Sequence, residues 1–309
     1  MAGFRSPGRL PAWRKLALST WGSPSSPAAY GVLDLDCEAV LDWVARARAA
    51  SGEKITLTHV VGKAAAIAIA SAPETNGFAS FGRLRLRETV DVFFQVAFFD
   101  DQTRKADEGE RETRRDANLA GAKVGRADAK GVVEIARELR ERAEAIRAKG
   151  KDPTVRAGKM MGAVPSPLRG AVARFSAFLS FDLGLDLSAL GIPFDPFGSC
   201  MVTNVGVFGI ETAWAPLIPY ARTPICMTVG AVQRAATVVG DAVVPRNRVK
   251  IGVAFDHRVM DGYHAGVMAR RFQKIFESPD EDLGDPAQWT SPTSIAKAPQ
   301  STSSGDAPP

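Results

Sequence analysis

The alternation of apolar and polar positions changes period along this chain, and the changes mark its elements. Tyr30 to Asp36 alternates apolar with acidic side chains, the period-two pattern of a half-buried strand. From Glu38 to Ala50 the period lengthens, with Val40, Leu41, Val44 and Ala47 at helical spacing. Thr58 stands where it can cap the next helix, an Ala-rich run to Ala72 that Pro73 stops. That run is apolar on all sides, which predicts burial. Leu84 to Leu86 and Val90 to Phe99 read as strands, whereas Gln102 to Ala122 is charged and irregular and yields no element. Val132 to Lys149 is the clearest helix, with Ile135, Leu139, Ala143 and Ile146 in one stripe. Lys151 to Pro167 is a connector, and Leu168 to Leu190 predicts one or two helices with an apolar face suited to core or oligomer contact. Strands follow at Cys200 to Val205, Ile225 to Ala231 and Val249 to Phe255, with a hairpin around Gly240-Asp241. The helix Gly262 to Glu277 turns Val267, Met268, Phe272, Ile275 and Phe276 inward. The whole reads as one mixed α/β domain over residues 12–279, with a loose Gly/Pro/Arg segment at 1–11. A Ser/Thr/Pro/Ala tail at 280–309 is expected to be disordered.

Composition narrows the classes. The 309 residues are 45% hydrophobic and 24% charged, the balance of a globular protein with a substantial core. The net charge of +5 is spread out: the densest basic run, Arg137 to Lys151, is interleaved with Glu138, Glu141 and Glu144. That is a solvated helix face rather than a nucleic-acid patch, although a mildly basic surface suits an anionic, nucleotide-bearing ligand. Cys37, Cys200 and Cys226 are odd in number and widely spaced. They indicate neither a zinc site nor a disulfide framework, and point to a reducing, cytoplasmic setting. No secretory leader is expected, because Met1 to Pro11 lacks an apolar run. No membrane span is expected either, because Asp182 and Asp186 interrupt the longest apolar stretch. Dinucleotide, P-loop and nucleophile-elbow motifs are missing.

The chemistry gathers near the C-terminus. A strand, Ile251 to Phe255, delivers His257, and Asp261-Gly262 follows at the start of a helix. Only three histidines exist in the chain. His59 sits at a helix start as a capping or packing residue. A metal site would join His257 to Asp261 and His264, but no further ligand is spaced to complete it, so no metal is expected. An incidental histidine at a strand-turn-helix junction is the plain alternative. A strand-end histidine without a serine or cysteine nucleophile can instead take a proton from the substrate's own thiol or hydroxyl. Attack of that atom on a thioester builds an oxyanion that needs a donor, and Thr203, before a Gly-rich turn, is a candidate.

These residues also carry a resemblance. Asp256-His-Arg-Val-Met-Asp-Gly262 resembles the DHRxxDG signature of the acyltransferase component of 2-oxo-acid dehydrogenase complexes. Met201-Val-Thr-Asn-Val-Gly206 is similar to that family's TISNLG strand, and Pro224 to Gly230 to its PQAAILGVG segment. Thr58 to Pro73, with Lys63 and Asn76, resembles its early helix, and Arg14-Lys15 its opening RKxIA. The resemblance implies a chloramphenicol acetyltransferase-like fold, an α+β two-layer sandwich with a mixed sheet packed against helices. It implies His257 as general base for the thiol of coenzyme A or dihydrolipoamide, and Thr203 as oxyanion donor. Asp261 would hold the catalytic loop, supported by an ion pair with Arg14. It further implies acyl-coenzyme A as substrate, a homotrimer or a larger assembly of trimers, and a catalytic channel between subunits.

Three departures qualify it. No lipoyl or subunit-binding domain is legible, so the lipoyl group would come from another chain, with dehydrogenase partners. The family's GLVVPVI strand is replaced by the charged stretch Asp107 to Gly121. An insert at about 151–196 precedes the Thr203 strand. The alternatives are a small-molecule O-acetyltransferase of the same fold and a catalytically weak scaffold subunit.

Overall fold

The structure is a computed structural model that describes residues 27–99, 117–149, 165–218 and 220–289. The expected loose segment 1–11, Arg14, most of the irregular stretch 102–122, most of the connector 151–167 and the tail from 290 lie outside the described residues.

A seven-stranded mixed sheet in the order β1-β9-β7-β6-β4-β5 organises the molecule, with β8 paired to the first part of β9. The strands are β1 (Ala28–Asp36), β4 (Val92–Phe99), β5 (Ala117–Val124), β6 (Cys200–Asn204), β7 (Ile225–Val229), β8 (Gln233–Val239) and β9 (Ala242–Asp256). Of these pairings only β4–β6 and β6–β7 are parallel. A separate hairpin joins β2 (Gly77–Ser80) to β3 (Arg83–Leu86). The helices are α1 (Glu38–Ser51), α2 (Leu57–Ala70), α3 (Val132–Lys149), α4 (Ser166–Ala177), α5 (Gly262–Glu277) and α6 (Pro279–Leu283).

The main core forms where α1, α2, α3 and α5 lie on one sheet face. Val202, Ile225, Met227, Ile251 and Phe255 from the strands meet Trp43, Ile69, Ile135 and Phe272 from the helices. The other face carries a smaller cluster of Phe93, Met201, Cys226 and Ala254, covered by Phe197, Ala215, Leu217 and Ile218 from coil. Strand alternation therefore assigns each functional side chain to a face. The expected mixed α/β fold, a sheet layered against helices, is the one observed.

α2 is buried along most of its length, as its composition predicts. Its cap differs from expectation: the helix begins one residue after Thr56, and the Thr56 amide donates to Nδ1 of His59 at 3.1 Å. The Thr58 hydroxyl is used elsewhere, accepting from Asn204 at 2.8 Å. Burial, with Arg48 nearby, pushes His59 down to about 4. An unfolded histidine binds its proton near pH 6.5, so between pH 6.5 and 4 the unfolded chain holds more protons. Stability should thus be complete above pH 6.5 and decline as pH falls toward 4. Urea midpoints measured across that window should fall for the wild type. They should flatten in His59→Gln, which keeps an acceptor at this helical position but does not titrate.

Lys63 is buried at 1% exposure and donates to the Asp128 carbonyl at 2.6 Å, tying α2 to the turn after β5. Burial lowers its pKa to about 8.

Two expectations are corrected and a third is made more exact. The charged stretch ends in a strand, β5, because pairing with β4 satisfies its backbone whatever its side-chain pattern. Of the one or two helices expected over Leu168 to Leu190, one forms: α4 passes into a π turn, Phe178–Asp182, and a short 3₁₀ turn, Ser188–Leu190, follows. Leu168, Val172 and Phe175 on α4 are exposed within the single chain. The ordered chain also continues beyond 279, since Leu283 is buried and Trp289 packs edge-on against Trp43 at 6.0 Å. The Trp43 indole donates to the Gly284 carbonyl at 2.8 Å. The described part of the insert rests on the β2–β3 hairpin through Phe78–Phe181 and Phe81–Phe178 ring pairs. A buried Arg87–Asp195 ion pair at 2.6 Å pins its end.

Candidate functional site

β9 ends at Asp256 and delivers His257 into a turn. Four features fix that turn. The His257 amide donates to the Pro27 carbonyl at 2.8 Å. The Phe255 and His257 rings stack with centroids 6.3 Å apart. Asp256 and Arg258 straddle the histidine and join in a two-pronged ion pair, Nε to Oδ1 at 3.0 Å and Nη2 to Oδ2 at 2.6 Å. Finally, Asp261 caps α5, accepting from the amides of Tyr263 at 2.9 Å and His264 at 3.2 Å. The His257 side chain is left exposed, and it makes no hydrogen bond to another described residue.

Asp261 is thus committed to the helix it starts. Its carboxylate also lies 2.7 Å from Nδ1 of His264. The amide bond from His264, then the His264 side chain, hold its pKa below the ordinary carboxylate value. The suggested partner, Arg14, lies outside the described residues. The Asp256–Arg258 pair and the Pro27 carbonyl escaped sequence reasoning. The pair was readable as carboxylate and guanidinium two apart, but the Pro27 contact spans β1 and has no local signal.

Thr203 lies near the end of β6, in register with Gln95 of β4 and Thr228 of β7. It is half-buried on the coil-covered face, and its hydroxyl makes no hydrogen bond to another described residue. Its neighbour Asn204 faces the helices and donates to Thr58. The coil over this face comes close: Thr228 donates its hydroxyl to the Ala213 carbonyl, and a Cβ on Gly252 would sit 2.0 Å from that oxygen. Only glycine permits the approach.

Within one chain Thr203 and His257 do not meet. Thr203 aligns through Thr228 with Gly252, and His257 lies one residue past the end of β9. At about 3.3 Å per residue and about 4.8 Å per strand, the separation is on the order of 20 Å. Thr203 shares the coil-covered face with Met201, whereas the His257 ring stacks on Phe255, whose side chain belongs to the helix-covered core. No group of three histidine, cysteine or carboxylate side chains among the described residues is placed to hold a metal. No described helix is long and apolar enough to cross a membrane.

Comparison with known proteins adds to this geometry. Residues 197–283 match the family model for the 2-oxoacid dehydrogenases acyltransferase (catalytic domain). This segment is similar to that family. It contains Thr203, His257 and Asp261. A curated relative, the Arabidopsis thaliana mitochondrial dihydrolipoyllysine-residue succinyltransferase component of 2-oxoglutarate dehydrogenase complex 1, is 36% identical over 88 residues. That alignment spans 28% of this chain and 18% of the relative. A probable dihydrolipoamide acetyltransferase from Listeria monocytogenes superposes with a TM-score of 0.57 at 16% identity, covering 90% of this chain and 96% of the other. The Azotobacter vinelandii dihydrolipoamide acetyltransferase superposes with a TM-score of 0.58 at 18% identity, covering 83% and 84%. That structure served to investigate a serine, a histidine and an asparagine in its catalytic mechanism. The acyltransferase fold therefore extends well beyond the segment in which sequence similarity is evident.

Proposed function

We propose that the protein is an acyltransferase moving an acyl group between coenzyme A and a dihydrolipoyl or similar thiol acceptor. The observation that carries this reading is His257, exposed at a strand end, with no nucleophile among the described residues bonded to it. The cysteines cannot serve, because all are buried. Burial drives Cys226 up to about 11 and Cys37 to about 12, far from a thiolate at neutral pH. The attacking atom then belongs to the substrate. His257 takes the thiol proton, the sulfur forms a bond to the thioester carbonyl carbon, and the carbonyl oxygen gains the charge. Thr203 donates its unused hydroxyl to that oxygen. Collapse breaks the original carbon–sulfur bond, and the departing thiolate recovers the proton from His257.

The separation of the two residues requires a second copy of the chain, so that Thr203 of one protomer faces His257 of another. A trimer, or a larger assembly of trimers, supplies such interfaces, and a lipoyl domain with its dehydrogenase would be the partner. A reducing, cytoplasmic setting fits three buried free thiols.

The test mixes the protein with acetyl-coenzyme A and dihydrolipoamide and follows the release of free coenzyme A. Turnover is expected, and Thr203→Val should lower it by about 10- to 1000-fold, the scale for loss of one oxyanion donor. Failure with every acyl chain tried, together with turnover on a small hydroxyl compound, would replace the thiol acceptor by an alcohol.

A further inference from the structure

α4 is oriented unlike a helix that packs only on its own chain. Such a helix buries its large apolar stripe and exposes the opposite side. Here the small residues Ala173, Ser176 and Ala177 are the covered ones. Leu168, Val172 and Phe175, spaced i, i+4 and i+7, are exposed, Phe175 at 62%. Phe178, in the π turn that follows, extends the exposed stripe. Its ring stands edge-on to that of Phe81, with centroids 6.1 Å apart.

Phe81 is a second, independent oddity. With Gly82 it forms the two-residue tip of the β2–β3 hairpin, since Ser80 pairs with Arg83. Both tip residues have positive φ, 49° and 70°. Asparagine and glycine take that conformation readily, whereas phenylalanine is uncommon there. Phe81 is also 67% exposed, so neither turn preference nor core packing accounts for it. The charges around these apolar side chains are mostly of one sign. Arg83 and Arg85 of β3 and Arg174 of α4 are exposed, and none has a carboxylate partner among the described residues. Arg85 donates to the Phe181 carbonyl and Arg174 to the Gly170 carbonyl, each at 3.1 Å. Asp182 is buried against Arg222 at 2.8 Å, which leaves Asp186 as the one exposed carboxylate from Pro165 to Leu190.

We propose that this face, the outer stripe of α4 with the hairpin tip at Phe81, docks the protein onto an anionic lipid bilayer. Large apolar side chains rimmed by unpaired arginines match such a surface: the former enter the headgroup layer while the guanidinium groups stay at the lipid phosphates. A second copy of the chain matches less well. A two-fold contact sets the patch against itself, and three arginines to one exposed carboxylate then oppose their own kind. The contact lies on the membrane and does not span it, in keeping with helices too short or too polar to cross. It is independent of acyl transfer, since neither Thr203 nor His257 belongs to this face.

Co-sedimentation of the full chain with vesicles tests this. One set holds equal parts of phosphatidylglycerol and phosphatidylcholine, the other phosphatidylcholine alone. The anionic set should carry the protein down, the neutral set should not, and added salt should weaken the binding. Phe81→Asn should weaken it by about tenfold with an undiminished melting temperature, because asparagine suits the turn. Arg174→Gln should weaken it by about fivefold. The combined variant Val172→Ser with Phe175→Ser should abolish it, with the oligomeric state in sedimentation velocity unchanged. No binding to anionic vesicles, equal binding to both sets, or wild-type binding by Phe81→Asn and the combined variant would each overturn the proposal. Loss of oligomers in the combined variant, with no vesicle binding by the wild type, would overturn it in favour of a contact between copies.

Discussion

Replacing His257 with alanine should reduce acyl transfer by about 10²- to 10⁴-fold while leaving assembly and the melting temperature unchanged. The side chain is exposed and makes no hydrogen bond to another described residue, so its removal costs only the stack on Phe255 and strands no hydrogen-bond partner among the described residues. The loop keeps its shape through backbone and neighbours, with the Pro27 carbonyl, the Asp256–Arg258 pair and the Asp261 cap all intact. A sharper form of the test uses the distance to Thr203. Since the two residues are on the order of 20 Å apart within a chain, the proposed site would draw them from two copies. Co-expressed His257→Ala and Thr203→Val chains, each impaired alone, should then regain part of the activity. Each mixed interface of the right order pairs an intact histidine with an intact threonine. An absence of recovery in demonstrably mixed oligomers would refute the shared site. Unchanged rates in His257→Ala would remove the base altogether.

The second large effect is expected at Gly252. A Cβ there would lie 2.0 Å from the Ala213 carbonyl oxygen and 2.6 Å from the Thr228 hydroxyl. Neither neighbour can retreat cheaply, because Ala213 is backbone and Thr228 is buried in the centre of the sheet. Gly252→Val should therefore displace the coil covering Thr203. We expect a loss of about 1–3 kcal/mol, read as a melting temperature lower by roughly 2–10 °C. Activity should fall with it, because the displaced coil forms the ceiling over the face on which Thr203 lies. Normal stability in this variant would show that the coil moves away without cost.

Much of this is legible in the sequence alone. The alternation at Tyr30 to Asp36 and the helical stripe at Val132 to Lys149 give their elements directly, because each buries one face against the same core. β5 was not legible. A strand that begins Ala117-Asn-Leu-Ala-Gly after a charged run shows no alternation, and its place comes from β4 beside it. Its Gly121 admits the Phe93 ring, a contact with no signature in sequence. At the site, the signature around His257 was readable because strand, turn and cap are local. The helix cap shifted from Thr58 to Thr56 because Asn204, 146 positions away, claims the Thr58 hydroxyl.

The construction of β9 has a further consequence. This single strand of 15 residues pairs with β8 over its first part and is gripped by both β1 and β7 over its last. A strand held on two edges can move along its length only by whole residues, and a shift of one exchanges its faces. Such a shift would drive Asp256 into the apolar layer now filled by Phe255 and carry the imidazole to the opposite side. The location of His257 is therefore digital rather than adjustable. Any drift by which descendants of this chain retune the site to other substrates must occur beyond Asp256 or on the surfaces facing the histidine, never by sliding the strand that carries it.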